Sequence, residues 1–377
     1  KKMNKEDFKN MYRHDFSSFV GFSHRILNPN TIYIDSWHMQ ALAEVLTKVS
    51  RGEITRLIIN MPPRMGKSFC ASIAFPAWIL GRDPTKKILC LSGGKTLGQE
   101  LHESCAALMG SRRYKALFGH LRLKAEPGRL MTGHGGYRLY MPVEAKMTGL
   151  GGDIVIMDDP IDAMRAQDDG ERKRLNEQFD QNIVQRLNDK KTGAIILVMQ
   201  RVHENDLTAH LLAKNEGWVH INMPAIAFED ETWQLPHGQV HVRKKFEALD
   251  AARESVEDLV NILTSIGSYA FAYQYLQGRY KPQFGKEGKY GRWITPYREG
   301  EFWDDRKDRK AFTGFLIVKE EDLILARVFG IGIDPCPPNM RNSLTEEEFE
   351  LAYAGVWFDK EKGEVSYPED RLEDPPL

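Results

Sequence analysis

Cysteine is scarce in this chain. Cys70, Cys90, Cys105 and Cys336 lie far apart among 377 residues, and none forms a Cys-x-x-Cys pair. That spacing makes metal and disulfide readings both poor, and a reduced, intracellular setting is expected. No apolar run approaches the roughly 18 residues that a bilayer-spanning helix needs, so no membrane association is expected. The first residues, KKMNKED, are charged and have no apolar signal core behind them. An excess of charge of one sign is also missing. The net charge is −1, so no global positive field marks a nucleic-acid binder, and any such surface must be a local patch. Nor is there an internal repeat. What remains is a 42% apolar chain, enough for one large α/β domain and a smaller one at about 150 residues per domain.

The organising stretch is residues 56–71, RLIINMPPRMGKSFCA. Residues 57–60 read as a buried strand, 61–65 as a proline-bearing loop, and Gly66-Lys67-Ser68 as the opening of a helix. Strand, loop, Gly-Lys-Ser and helix follow the order of a phosphate-binding loop. There, backbone N–H groups and the helix N-terminus cradle phosphates, Lys67 reaches the β/γ oxygens, and the Ser68 hydroxyl ligates Mg²⁺. The expected nucleotide contacts are Pro63, Arg64, Met65, Gly66, Lys67, Ser68 and Phe69. The usual pattern, G-x-x-x-x-G-K-[ST], is broken once: Met61 stands where the first glycine would be.

Upstream, Asp35 or Ser36 can cap a helix that starts at Trp37. Gln40 on that helix can read the N6/N7 edge of adenine as a bidentate amide, with Trp37 or Tyr33 stacking on the ring. Downstream, strands and helices alternate from about residue 54 to 224, which predicts a doubly wound, mainly parallel sheet. Residues 153–160, DIVIMDDP, read as a central strand ending in two carboxylates, where open α/β sheets place ligands. Ninety-one positions separate Lys67 from Asp158, room for at least one strand-helix unit between them. The predicted fold is therefore an α/β P-loop NTPase, RecA-like, with extra strands between the Walker A and Walker B segments. A small C-terminal α+β region follows. The expected divisions are a helical, adenine-side segment (1–50), the ATPase core (51–225), a helical lid (226–280), a basic, Gly-rich linker (281–310) and the small C-terminal region (311–377). Residues 114–129 and 228–245 read as irregular, and 169–187 as one long charged helix.

Phosphoryl transfer to water is mainly positioning and charge neutralisation. Asp158 is the natural partner of Mg²⁺, and Asp159 beside it can act as base or water orienter. Gln200, ending the next strand, can touch the γ-phosphate or its water. Arg64 inside the loop and Arg201 after Gln200 are both candidate cations for the transition state, the latter in cis or towards a neighbouring subunit. The His203-Glu204-Asn205-Asp206 cluster matches no metal-ligand spacing and reads as a helix start. Basic groups at 112–115, 172–174, 243–245 and 279–292 are candidates for a non-specific grip on a DNA backbone.

Taken together, these segments resemble the large terminase subunit of tailed bacteriophages, over about residues 30–280. The carrying motifs are Trp37-His38-x-x-Ala41, Asn60-Met61-Pro62-Pro63-Arg64-Met65-Gly66-Lys67-Ser68, Thr148-Gly149-x-Gly151-Gly152-Asp153, Ile156-Met157-Asp158-Asp159-Pro160, Gln185-Arg186-Leu187 and Met199–Leu207. The resemblance implies an ATP- and Mg²⁺-dependent motor that drives double-stranded DNA into a procapsid in the host cytoplasm. It implies a portal protein and a small terminase subunit as partners and a ring of copies when assembled. It also assigns Arg64, Lys67 and Ser68 to the phosphate loop, Asp158 to Mg²⁺, Asp159 to catalysis and Gln200 or its neighbours to coupling. A helicase-like translocase outside packaging and an inactive prophage remnant are the alternatives. The family's usual C-terminal nuclease needs several carboxylates at strand ends. Residues 331–335, IGIDP, resemble its first strand with Asp334 as a metal ligand, and residues 352–358 can be the next strand, followed by Asp359, but further strand-end acids do not follow. A complete nuclease is not expected.

Overall fold

The computed structural model describes residues 4–278, apart from positions 120, 148, 246 and 267, together with the strands Trp357–Asp359 and Glu364–Ser366. Asp334 and the 281–310 linker therefore lie outside the described residues. The chain divides into two compact units, Lys1–Pro224 with Glu231–Arg243, and Ala225–Asp230 with Lys244–Leu377.

The first unit opens with α1 (Lys5–His14), α2 (Phe16–Leu27) and α3 (Trp37–Ser50). Asn4 caps α1 in a reciprocal box with Asp7, and Asp15 caps α2 through the Ser18 N–H. Next come β1 (Arg56–Asn60), a π-helical turn (Phe69–Ala74) that runs into α4 (Phe75–Arg82), β2 (Lys87–Ser92), α5 (Lys95–Gly110) and α6 (Arg112–Leu117). The series continues with β3 (Leu123–Glu126), β4 (Arg129–Thr132), β5 (Tyr137–Pro142), β6 (Ile154–Asp158), α7 (Asp169–Gln178), β7 (Ala194–Met199), α8 (Leu207–Ala213) and β8 (Val219–Asn222). A hairpin of β9 (Glu231–Gln234) and β10 (Val240–Arg243) closes the unit.

Eight strands form one sheet in the order β3-β4-β5-β2-β6-β7-β1-β8. From β5 to β8 every pairing is parallel, while β3 and β4 run antiparallel at one edge. This is a doubly wound, mainly parallel P-loop fold of RecA-like type. The central strands are apolar on both faces: Leu57, Ile58, Ile59, Val155, Ile156, Ile195, Ile196 and Leu197 are all fully buried. Strand β7 lies between β1 and β6, with Asn60 opposite Met199 and Asp158 opposite Val198. The register brings the ends of β1, β6 and β7 to one edge, so the phosphate loop, the carboxylates and Gln200 emerge together. Aromatic packing docks the opening helices on the body. Phe16 sits 5.5 Å edge-on to Phe75 and 5.1 Å from Trp78.

Several local readings are corrected. The helix opened by Gly66-Lys67-Ser68 is not one regular α-helix to its end at Arg82: its first part is a π turn. Pro76 has no N–H, so the ordinary bond to the Ser72 carbonyl four residues back cannot form there. Residues 169–187 are an α-helix only to Gln178, followed by a π turn (Phe179–Ile183) and a 3₁₀ turn (Val184–Arg186). The stretch read as irregular at 114–129 supplies part of α6 and all of β3, and that at 228–245 supplies the β9–β10 hairpin.

In the second unit, α9 (Val256–Ile266) and α10 (Ser268–Gln274) gather Leu259, Leu263, Phe271 and Leu276 around Ala225, Ile226 and Ala248. The Ala225 N–H donates to the Tyr275 carbonyl at 2.7 Å. Near the C-terminus β11 (Trp357–Asp359) and β12 (Glu364–Ser366) pair antiparallel.

Candidate nucleotide-binding site

The loop between β1 and the π turn explains its own missing glycine. Met61 is completely buried and has no positive φ, so a side chain is accommodated and used as core there. The left-handed positions fall instead at Arg64 (φ 61°) and Gly66 (φ 83°). Pro62 and Pro63 hold the preceding backbone extended, and the chain then turns at Arg64, whose side chain is exposed at the tip. A Cβ on Gly66 would lie 2.7 Å from Met39 Sδ, so α3 packs directly beneath the loop. Lys67 and Ser68 begin the helix.

Lys67 is buried and points across the sheet edge. Its ammonium donates to Gln200 Oε1 at 3.3 Å and lies 3.7 Å from Asp159 Oδ2. Ser68 Oγ donates to Asp158 Oδ1 at 2.9 Å, and Ser72 Oγ, one turn further on, donates to Asp158 Oδ2. Asp158 is 2% exposed. Burial and the charge of Asp159 push its carboxyl up to about 6, opposed by Ser72, Lys67 and Ser68. Asp159 itself adopts φ 40°, a strained position for a residue with a side chain. Its N–H donates to the Val198 carbonyl at 2.8 Å, and its carbonyl accepts from Gly93 at 3.2 Å. Gly93 must be glycine for this approach, since a Cβ would fall 2.2 Å from the Pro160 carbonyl oxygen.

Lys67, Ser68, Asp158, Asp159 and Gln200 are thus brought together, and Arg64 stands at the rim of the same loop. Arg201 is held elsewhere. Its Nε donates to both oxygens of the fully buried Asp206 side chain, at 3.0 and 2.7 Å, and Asp206 also caps α8. In this structure Arg201 clamps the β7–α8 loop instead of reaching the phosphate side. The His203 cluster is a helix start: His203 Nδ1 accepts from the Asn205 N–H at 3.0 Å.

On the adenine side, Gln40 Nε2 donates to Asp35 Oδ2 at 3.0 Å, and Phe69 sits edge-on to His24 at 5.8 Å. Trp37 is not the open platform the sequence suggests. The β9–β10 hairpin covers it, with His241 stacked at 4.5 Å and 12°, and Trp233 at 5.9 Å. Two of the candidate DNA-gripping cations are likewise committed to the interior. Arg172 is buried against Asp169 and the Ala166 carbonyl, and Arg243 is fully buried on Glu231 and the Pro224 carbonyl. Arg112, Arg113 and Lys115 on α6 are exposed.

Among the described residues no group of three or more His, Cys, Asp or Glu could hold a metal ion. A Mg²⁺ carried by phosphates needs only one or two protein groups, and the Ser68–Asp158 pair meets that requirement. Both oxygens of Asp158 face hydroxyl donors, and Ser68 has lone pairs to spare. Sequence reasoning missed Ser72 and Arg138. Ser72 was findable, since it lies four residues after Ser68 on the same helical face. The signal for Arg138, a charged residue in a strand, is too common to single it out.

Among solved structures, the chain is similar to the large terminase of bacteriophage HK97. Identity is 12%, 56% of this chain covers 44% of that one, and the TM-score is 0.37. A second is the large terminase of the thermophilic bacteriophage D6E in complex with ADP, at 10% identity, 61% of this chain against 52% of that one, and a TM-score of 0.35. Its structural neighbours are phage large terminases. The chain spans about half the length of each. No protein-family model matches it, and neither does any curated protein. Among the described residues no helix is long and apolar enough to cross a membrane.

Proposed function

We propose that this chain is an ATP-hydrolysing motor that translocates double-stranded viral DNA into a procapsid, as the large subunit of a terminase. The observation that carries the ATPase reading is the convergence of Lys67, Ser68, Asp158, Asp159 and Gln200 at one sheet edge. The packaging reading rests on the order and identity of the sequence motifs around those residues.

In this reading the loop N–H groups and Lys67 hold the β- and γ-phosphates, and Lys67 exchanges its bond to Gln200 for phosphate oxygens. Bound Mg²⁺ supplies charge neutralisation on the phosphates. Ser68 and Asp158 are the residues that would hold it. Asp159 offers a carboxylate oxygen to the proton of the attacking water, and Gln200 orients that water or reports its loss. Arg64, at the loop tip, is the transition-state cation. The exposed cations of α6 contribute a non-specific grip on the DNA backbone. Portal, procapsid and small subunit are the partners, in the host cytoplasm, with several copies acting as a ring.

The test is steady-state ATP hydrolysis, with and without double-stranded DNA, on wild type and Lys67→Ala. Turnover in the wild type that drops by about 100-fold or more in the variant is expected, the scale seen when one transition-state donor is removed. A wild type with no turnover under any of these conditions refutes the motor. DNA packaging is read separately, as DNA protected from nuclease inside procapsids.

A further inference from the structure

Arg138 on β5 is 1% exposed, and among the described residues no carboxylate pairs with it. Its Nε has no hydrogen-bond partner. A buried guanidinium in that state costs stability relative to an apolar residue of similar size, so what it touches matters. Nη1 donates to His102 Nδ1 at 3.1 Å, which makes Nδ1 the acceptor and leaves His102 Nε2 to donate to the Glu126 carbonyl at 3.3 Å. Nη2 donates to the Ser72 carbonyl at 3.0 Å. That is the carbonyl whose helical donor is removed by Pro76. Arg138 therefore supplies a donor to a backbone acceptor that cannot take the α-register bond from residue 76, inside the π turn of residues 69–74. Such turns interrupt a helix and re-aim its side chains. Here the re-aimed side chain is Ser72, itself 1% exposed, whose hydroxyl reaches Asp158 Oδ2.

We propose that Ser72 and Arg138 are positioning residues that fix the Asp158 carboxylate for a phosphate-borne divalent cation: Ser72 directly, and Arg138 by holding the Ser72 carbonyl in the π turn before Pro76. This rests on the nucleotide-binding reading above. Ser68 has one proton to donate and lone pairs left over, so it can keep Asp158 Oδ1 while facing a cation. Ser72 takes the second oxygen and removes the remaining rotation of the carboxylate. Neither Ser72 nor Arg138 contacts nucleotide in this scheme, so nucleotide affinity without metal should not depend on them.

The experiment uses the full chain as wild type, Ser72→Ala, Arg138→Met and Arg138→Met/Pro76→Ala. Affinity for a fluorescent ADP analogue is measured in EDTA and across a Mg²⁺ titration, with thermal unfolding alongside. Ser72→Ala should match wild type within about 2-fold in EDTA and lose about 10-fold in the enhancement of affinity by Mg²⁺, a change of ~1.4 kcal/mol. Arg138→Met should lose enhancement in the same direction. Adding Pro76→Ala, which restores an N–H for the Ser72 carbonyl, should recover part of it. Wild-type Mg²⁺ enhancement in Ser72→Ala overturns the proposal, even if Arg138→Met fails to fold. A lower melting temperature in Arg138→Met with unchanged Mg²⁺ enhancement overturns the role of Arg138. A wild type that binds no ADP analogue with Mg²⁺ refutes the nucleotide reading, and the proposal with it.

Discussion

Replacing Gly66 by alanine tests how firmly α3 fixes the phosphate loop. Two costs arise from one methyl group. The backbone at φ 83° is a conformation that residues with a Cβ rarely adopt, and holding one there costs about 1–2 kcal/mol. The new Cβ would also stand 2.7 Å from Met39 Sδ and 3.2 Å from its Cε, against an optimal separation near 3.5–4.0 Å. Methionine is adaptable, but Met39 is 7% exposed and has little room to withdraw. Overpacking of this kind adds about 1–3 kcal/mol. The expected loss is therefore about 2–5 kcal/mol, read as a fall in the urea midpoint at constant slope. In a Met39→Ala background the clash is gone, and the same substitution should cost only the backbone share of about 1–2 kcal/mol. The difference between backgrounds is the coupling between helix and loop. A loss below about 1 kcal/mol in wild type, or equal losses in both backgrounds, refutes this account of the contact.

Two further outcomes are expected. The Asp158 carboxyl lies above its ordinary value, at about 6. The folded chain thus holds that proton more tightly than the unfolded chain, and the stabilisation is present at low pH and lost as pH rises from about 4 to 6. Compared with Asp158→Asn, metal-free wild type should lose on the order of 3 kcal/mol across that window; a difference that stays flat with pH contradicts the burial argument. Asp206→Ala should destabilise by about 3–5 kcal/mol, because it leaves the nearly buried Arg201 without its carboxylate and uncaps α8. Chemical denaturation showing under 1 kcal/mol would mean that the clamp carries little of the loop's stability.

Much of the fold was legible because its signals are local. Runs such as residues 57–60, 154–158 and 194–199 are continuously apolar and short, and only a strand covered on both faces needs that. The Gly-Lys-Ser helix start, the paired Asp158-Asp159 and the terminal Gln200 announce their chemistry within a few residues of a strand end. Their meeting at one edge follows from parallel pairing, in which successive strands end on the same side.

What the sequence alone determined is the alternation of elements, the parallel core and the five residues that face one another across the sheet edge. Tertiary structure decided the rest, because it depends on partners distant in the chain. Trp37 is covered by a hairpin some two hundred residues downstream, so its local context reads as an open platform while His241 occupies one face. Arg172 and Arg243 look like surface cations and Arg201 like a phosphate-side cation, yet each is drawn inward by a carboxylate or carbonyl at hydrogen-bonding distance. The bond from Arg138, on a sheet strand, to the Ser72 carbonyl four residues before Pro76 has no local signal. Burial turns each of these polar groups into a structural obligation, and only the packed chain shows which groups are buried.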